Sequence, residues 1–411
     1  MNILFLSRWY PYPQNNGSKI RIYNLLTGLS HEHDVSLISF YERSDPEPDL
    51  THMQKICQDV QVIQHKGFAP NSLRSLLGFF SLKPRSFIDV YSNDMRDKIE
   101  KSIEKNSFDC IIASQIDMAA YAEWFDCIPA IFEEAELGIL YDRFAEANSL
   151  PAKLRHWLTW RKSRSFITKL LKEYKLTTVV SERERQLLSR IAPQGASIEI
   201  IPNCINLKDY EEVHAAPQAE TLIFIGSFNY QPNYQGMVWF LEKVYPLLKA
   251  SHPNLKLTIT GAHGGRPLPN SRDVTLTGYV EDIRPIVARA WCSIVPLHIG
   301  GGTRIKILDA MALRTPVVST SKGAEGLEVN DGEHILIADD PRDFAEAVRR
   351  ILESYDLRQK LADNAYNLVC EKYDWEIIMP RFLQLLEKAV DIHPSSLSGT
   401  VETSKLIGVK H

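Results

Sequence analysis

The segment IVPLHIGGGTRIKILDAMALRTPVVST, residues 294–320, places strand, bare loop and helix in immediate succession. The apolar run Ile294–Leu297 predicts a strand, and Gly300, Gly301 and Gly302 predict a loop. Thr303 is the expected cap of a helix whose apolar positions Ile305, Leu308 and Ala312 recur at helical spacing. Arg304 and Lys306 then fall in the first helical turn, where the positive end of the helix dipole disfavours cations. An anion resolves that conflict. Glycines admit a ligand to the backbone, and free N–H groups, the dipole and two cations together make a phosphate cradle. A Gly-rich turn with solvated basic residues is the plain alternative.

The same unit recurs along the chain. Ile3–Leu6 predicts a first strand, followed by a loop with Pro11, Pro13, Asn15, Asn16 and Gly17, a helix over Ile20–Leu29 and a strand over Val35–Phe40. Cys110–Ala113, Ala130–Phe132, Thr177–Val180 and Ile198–Ile201 continue that sheet, and Ser181 with Glu184 reads as a capping box. The polar stretch Leu207–Glu220 is the linker expected before a second series: Leu222–Ile225, Leu255–Thr260, Val274–Leu276, Trp291–Val295, Pro316–Ser319 and Ile335–Ile337. Two doubly wound α/β lobes with parallel sheets follow, their ligand loops converging beyond the carboxyl ends of the strands. The expected division is a first lobe over 1–206, a second over 207–375, a helix over 376–391 packing back on the first lobe, and a disordered tail over 392–411.

Length and charge agree with this division. A chain of 411 residues exceeds one ordinary core, and a formal net charge of −4 supplies no global basic field, so nucleic acid is not an expected partner. Six scattered cysteines with no CxxC pair read as reduced thiols, and no carboxylate cluster suggests a metal site. The N-terminal apolar run of four residues is too short for a signal peptide or a membrane span, and no run of eighteen apolar residues occurs. The expected location is cytoplasmic, with peripheral contact at the inner face of the membrane.

The motifs GSFNYQPN (226–233), LTGYVEDIRP (276–285), PLHIGGGTRIKILDAMA (296–312) and TPVVSTSKGAEGL (315–327) are ordered and spaced as in family-4-type, or group 1, glycosyltransferases, which the second half resembles. ILFLSRWYPYPQNNGSKIRIYNLL near the N-terminus resembles the opening strand and loop of that family. The resemblance implies the GT-B architecture: two Rossmann-like lobes facing across a cleft, a nucleotide sugar (UDP- or GDP-linked) on the second and an acceptor on the first. It also implies retention at the anomeric carbon, with no metal and no other cofactor. The family's pair of glutamates, eight residues apart, falls here on Gly301 and Asp309, so the first is absent and the second shortened. Asp309 can still accept from both ribose hydroxyls.

Donor binding is therefore expected at Gly226, Ser227, Tyr279, His298, Gly300, Gly301, Gly302, Thr303, Arg304, Lys306 and Asp309. Arg304 and Lys306 stabilise the departing diphosphate, and Tyr279 lies against the base. Asn16, Gly17 and Ser18 form an acceptor or phosphate loop. Asp117, beyond the strand Cys110–Ala113, is the general-base candidate, ahead of Glu133, Glu134 and Glu136. Tyr279 and His298 have equally ordinary packing roles open to them, and Asn16–Ser18 also fit a plain turn by composition. A nucleotide-sugar epimerase, a phosphorylase and a non-enzymatic nucleotide-sugar-binding protein share the scaffold. No GxGxxG follows Ile3–Leu6, which argues against a dehydrogenase. The segments 150–174 and 73–87, rich in Lys, Arg and aromatics, are candidates for membrane contact, with an ordinary solvated helix face as the alternative.

Overall fold

The apolar run at the N-terminus becomes the middle of a sheet because both its faces are covered: Ile3, Leu4, Phe5 and Leu6 are wholly buried. In the computed structural model, which describes residues 1–43, 47–145, 149–269, 272–301 and 304–391, seven strands form the first sheet. They are β1 (Asn2–Ser7), β2 (Asp34–Glu42), β3 (Asp59–His65), β4 (Cys110–Ser114), β5 (Ala130–Glu133), β6 (Leu176–Val179) and β7 (Ile198–Ile200). Their order is β3-β2-β1-β4-β5-β6-β7, with all pairings parallel.

The second sheet has β8 (Gln218–Ile225), β9 (Lys256–Thr260), β10 (Val274–Gly278), β11 (Ala290–Val295), β12 (Val317–Ser319) and β13 (Leu336–Ile337), in the parallel order β10-β9-β8-β11-β12-β13. Each sheet reverses its order once, between β1 and β4 and between β8 and β11. At such switch points the loops on either side diverge and open a crevice for ligand. Residues 296–301 follow β11, so Gly300 and Gly301 stand at the second of these points.

Three local expectations change. Residues 59–65 form a strand that the sequence reading omits, since Gln61 and Gln64 break the apolar run of an edge strand paired only to β2. The polar stretch after Leu207 is not an inert linker: Lys208–Glu211 is a helical turn, Leu207 is buried, and strand β8 begins at Gln218. Ser181 caps its helix by accepting from Glu184 N, but the Glu184 carboxylate does not close the box. It turns outward to accept from Leu137 N at 2.7 Å and Gly138 N at 2.9 Å. That contact caps the helix Gly138–Ala145, which carries first-lobe side chains to the cleft.

The helix Trp375–Asp391 leaves the second lobe and packs Trp375, Ile378, Phe382 and Leu386 into the core that also holds Ile3, Phe5, Ile22 and Leu26. Ion pairs cross between the lobes as well. Lys322, after β12, reaches Asp142 at 2.6 Å, and Arg183 reaches Glu325 at 3.0 Å. The segment 392–411 lies outside the described residues, as do Gly302 and Thr303.

Candidate active site

The helix after the glycine loop runs Ile305–Ala312, and the residue at its cap position is Arg304, which makes no side-chain cap hydrogen bond. Thr303, the expected cap, lies outside the described residues. Arg304 is only 7% exposed. One guanidinium nitrogen, Nη1, donates to Gly301 O, while Nε and Nη2 are buried with no hydrogen-bond partner among the described residues. A buried cation with two unpaired donors at a helix N-terminus is costly in an empty site and becomes satisfied by an anion.

Lys306, the second residue of this helix, donates to Asn233 Oδ1 at 2.8 Å and lies 4.5 Å from the Phe224 ring centroid. Burial, and then the neighbouring Arg304, lower its pKa to about 7. Asn233 in turn donates to Ser227 O at 2.9 Å, which ties the lysine to the loop after β8. Gly226 is required there: a Cβ on it would lie 2.8 Å from Lys306 Nζ and closer still to Asn233. The Ser227 hydroxyl is spent on the scaffold, donating to Ala262 O at 3.1 Å. Asp309, on the same helix as Lys306, accepts from Tyr210 Oη at 2.5 Å, and burial raises its pKa to about 6.

The other expected residues divide. Tyr279 stands 64% exposed just after β10. His298 sets its ring edge-on to Trp239, 4.5 Å between centroids, a packing contact, and burial lowers its pKa. Asn16 is not part of a free loop. Its side chain caps the helix Gly17–Ser30 by accepting from Lys19 N at 3.0 Å. Gly17 and Ser18 are the first residues of that helix, and a Cβ on Gly17 would lie 3.2 Å from Ile305 Cδ1, so this helix start abuts the donor loop.

Facing that junction are the ends of β4 and β5. Gln115 and Glu134, the residues that immediately follow these two strands, both have left-handed φ angles, 67° and 56°. Gln115 Nε2 donates to Glu134 Oε2 at 2.8 Å and to Ser18 Oγ at 3.3 Å. Burial first, and the adjacent Glu133 second, push the Glu134 carboxyl up to about 8. Paired backbone strain of this kind concentrates where side chains must be aimed. Asp117 is placed differently: it is 3.3 Å from Arg8 Nε, and Arg8 also engages Glu42 and, at 3.1 Å, His65. Burial raises the Asp117 pKa against the pull of Arg8.

Glu136 is the contact least expected from the sequence. A Cβ on Gly301 would lie 3.3 Å from Glu136 Oε1 and 2.4 Å from Ile139 Cγ1, so no side chain fits at 301. The position that a glutamate would occupy in the loop is filled from the first lobe. Burial, and then Glu184, raise the Glu136 pKa to about 7, while Arg304 opposes the rise. Asn233, Tyr210 and Gln115 escape a reading based on spacing, and Glu136, expected only as a general-base candidate, meets the donor loop instead. Asn233 lies within the quoted GSFNYQPN motif, and Tyr210 and Gln115 carry no local signal. Among the described residues, no group of three or more His, Cys, Asp or Glu side chains could hold a metal ion.

The lysine makes the site pH-sensitive. A diphosphate beside Lys306 raises its pKa from about 7, so the complex holds more proton than the free protein. Affinity for a nucleoside diphosphate is therefore full below pH 7 and falls as pH rises, by up to about tenfold per unit. Calorimetry at pH 8 in two buffers of different ionisation enthalpy should show proton uptake on binding. Lys306→Met should abolish it, and no uptake by the wild type would remove Lys306 from the phosphate.

Comparison with known proteins finds similarity in sequence and fold. Residues 219–354, from β8 to the helix Pro341–Glu353, match the sequence model of the family described as Glycosyl transferases group 1. The chain is 25% identical over 393 residues, 90% of its length and 96% of the relative's, to an uncharacterized 44.6 kDa protein in the cps region of Klebsiella pneumoniae. Its fold is similar to that of sucrose-phosphate synthase from Thermosynechococcus elongatus, with TM-score 0.69, 17% identity, and coverage of 96% of this chain and 100% of that one. HepE from Anabaena, solved with UDP-glucose, gives TM-score 0.66 and 12% identity over 94% of this chain and 100% of that one.

Proposed function

We propose that this chain, a group 1 glycosyltransferase of GT-B architecture, moves a sugar from a UDP- or GDP-linked donor to a glycan, lipid-linked or small-molecule acceptor, with retention and without a metal. The observation that carries the reading is the buried Arg304 guanidinium, with two unpaired donors, beside Lys306 at the switch point of the second sheet. Fixed cations there stabilise charge that develops on a leaving diphosphate. The UDP-glucose bound to HepE supports a nucleotide-sugar donor.

In this mechanism the bond between the anomeric carbon and the diphosphate oxygen breaks, and its electron pair leaves with the diphosphate. Arg304 and Lys306 balance that charge, and Asp309 exchanges its Tyr210 partner for the ribose hydroxyls. The acceptor hydroxyl attacks from the face the diphosphate leaves and passes its proton to a departing phosphate oxygen. Gln115, Glu134 and Ser18 orient the acceptor from the first lobe, and the docked lobes exclude water.

Transfer activity should persist in excess EDTA, and proton NMR of the product should show the donor's anomeric configuration. An inverted product, or activity lost to chelator and restored by magnesium or manganese, overturns the mechanism. A free nucleotide sugar converted to its epimer without acceptor overturns the transferase reading itself.

A further inference from the structure

Two segments far apart in sequence meet on the surface of the first lobe. The helices Leu73–Leu77 and Arg85–Val90 lie beside the long helix Leu150–Leu170, and Lys162 Nζ pins them by donating to Phe79 O at 2.9 Å and Gly78 O at 3.3 Å. Phe87 packs on Phe166 at 5.2 Å between centroids. The C-terminal half of the long helix is buried through Phe166, Ile167 and Leu170, but its N-terminal half presents Leu150, Leu154 and Trp157 to solvent. On the segment that Lys162 pins, Phe80 is 92% exposed and Leu82 90% exposed. Large apolar side chains gathered in solvent in this way mark an interaction site.

Its charge identifies the partner. Residues 66–88 carry four Lys or Arg and residues 149–172 carry seven, and neither stretch contains an Asp or Glu; Asp89 and Glu173 lie just beyond their ends. Protruding Leu and Phe side chains ringed by cations fit the interface of an anionic bilayer, where apolar groups enter the acyl boundary and lysines and arginines meet the headgroups. No helix among the described residues is long and apolar enough to cross a membrane.

We propose that this surface docks the protein on the face of an anionic lipid bilayer. The surface also connects to the cleft. The helix Gly138–Ala145 sets Tyr141 against Trp160 of the long helix, 5.5 Å between centroids, and Ile139 against Gly301 of the donor loop. Docking thus holds the cleft close to the lipid surface and favours a lipid-linked acceptor, a corollary that rests on the transferase reading. The docking itself does not.

The test is co-sedimentation of the full chain with two kinds of vesicle, pure phosphatidylcholine and phosphatidylcholine with about one-third phosphatidylglycerol, whose negative surface potential attracts lysine and arginine. Binding to the anionic vesicles should be at least about tenfold stronger and should fall with added salt. Phe80→Asp with Leu150→Asp, both at exposed positions, should reduce it by about tenfold or more with nucleoside diphosphate affinity unchanged. Equal binding to both vesicles, or none to either, overturns the proposal. So does a wild-type dimer that the double variant splits while vesicle binding is unaltered, since the surface would then be an interface between two copies. Because nucleotide affinity is read separately, failure of the docking and failure of the transferase reading are distinguishable.

Discussion

Arg304→Ala is expected to weaken nucleoside diphosphate binding by about 1.5–3 kcal/mol, the value of hydrogen bonds to a charged group, or roughly 10- to 150-fold in Kd. The reason lies in the guanidinium, whose Nε and Nη2 are buried and unpaired among the described residues. Among the described residues, removing the side chain sacrifices the bond to Gly301 O and the attraction of Arg304 for Glu136 against the relief of two buried unpaired donors, so thermal stability without ligand should change little. The stabilisation that nucleoside diphosphate confers should shrink in proportion to the lost affinity. A nucleoside without phosphates should be indifferent to the change. Arg304→Lys should recover only part of the loss, because a point charge lacks the planar fork of the guanidinium. Calorimetric titration decides the matter, and wild-type affinity in Arg304→Ala would place the diphosphate elsewhere.

The parts of this site that are legible in the sequence are those set by local chemistry. Buried parallel strands read as continuous apolar runs, so Ile3–Leu6 and the run before His298 announce themselves. Cations placed against a helix dipole announce a ligand, and Arg304 and Lys306 do converge with Asp309 on one helix. Residues 59–65 escape such a reading because an edge strand alternates with polar residues and resembles a loop. Asn16 reads as a turn because a cap and a turn draw on the same residue types. Contacts set only by docking of one element on another leave no trace in spacing. Tyr210 meets Asp309 across 99 positions, and Glu136 fills the space beside Gly301 from the opposite lobe. Asp117 shows the limit from the other side: its position after a central strand is as expected, yet what it meets, Arg8 with Glu42 and His65, is assembled from three other strand ends.

Glu133→Ala should be the most destabilising single substitution considered, because it strands a charge in the first-lobe core. Arg21 and Glu133 both have side chains with no exposed surface, and Arg21 Nε donates to Glu133 Oε1 at 2.6 Å. Ser114 Oγ donates to the other carboxylate oxygen at 2.6 Å, and Arg21 Nη1 reaches Pro202 O at 2.9 Å and Asn203 Oδ1 at 3.1 Å. Breaking a buried pair by deleting one partner costs about 3–5 kcal/mol, most of it the uncompensated charge that remains. Arg21→Met with Glu133→Leu removes both charges and should recover most of that stability. The adjacent Glu134 moderates the single substitution. After burial, the charge of Glu133 is the main reason its carboxyl stays protonated to about pH 8. Without Glu133 that repulsion disappears, Glu134 ionises at lower pH, and it takes over part of the neutralisation of Arg21. Glu133→Ala should therefore fall near the lower end of the range, and Glu133→Ala with Glu134→Gln, which has no carboxylate left to offer, near the upper end. Urea unfolding followed by a first-lobe probe at pH 8 measures the difference. Equal losses in the two variants would mean that Glu134 does not share the arginine, and its raised pKa would then report burial alone.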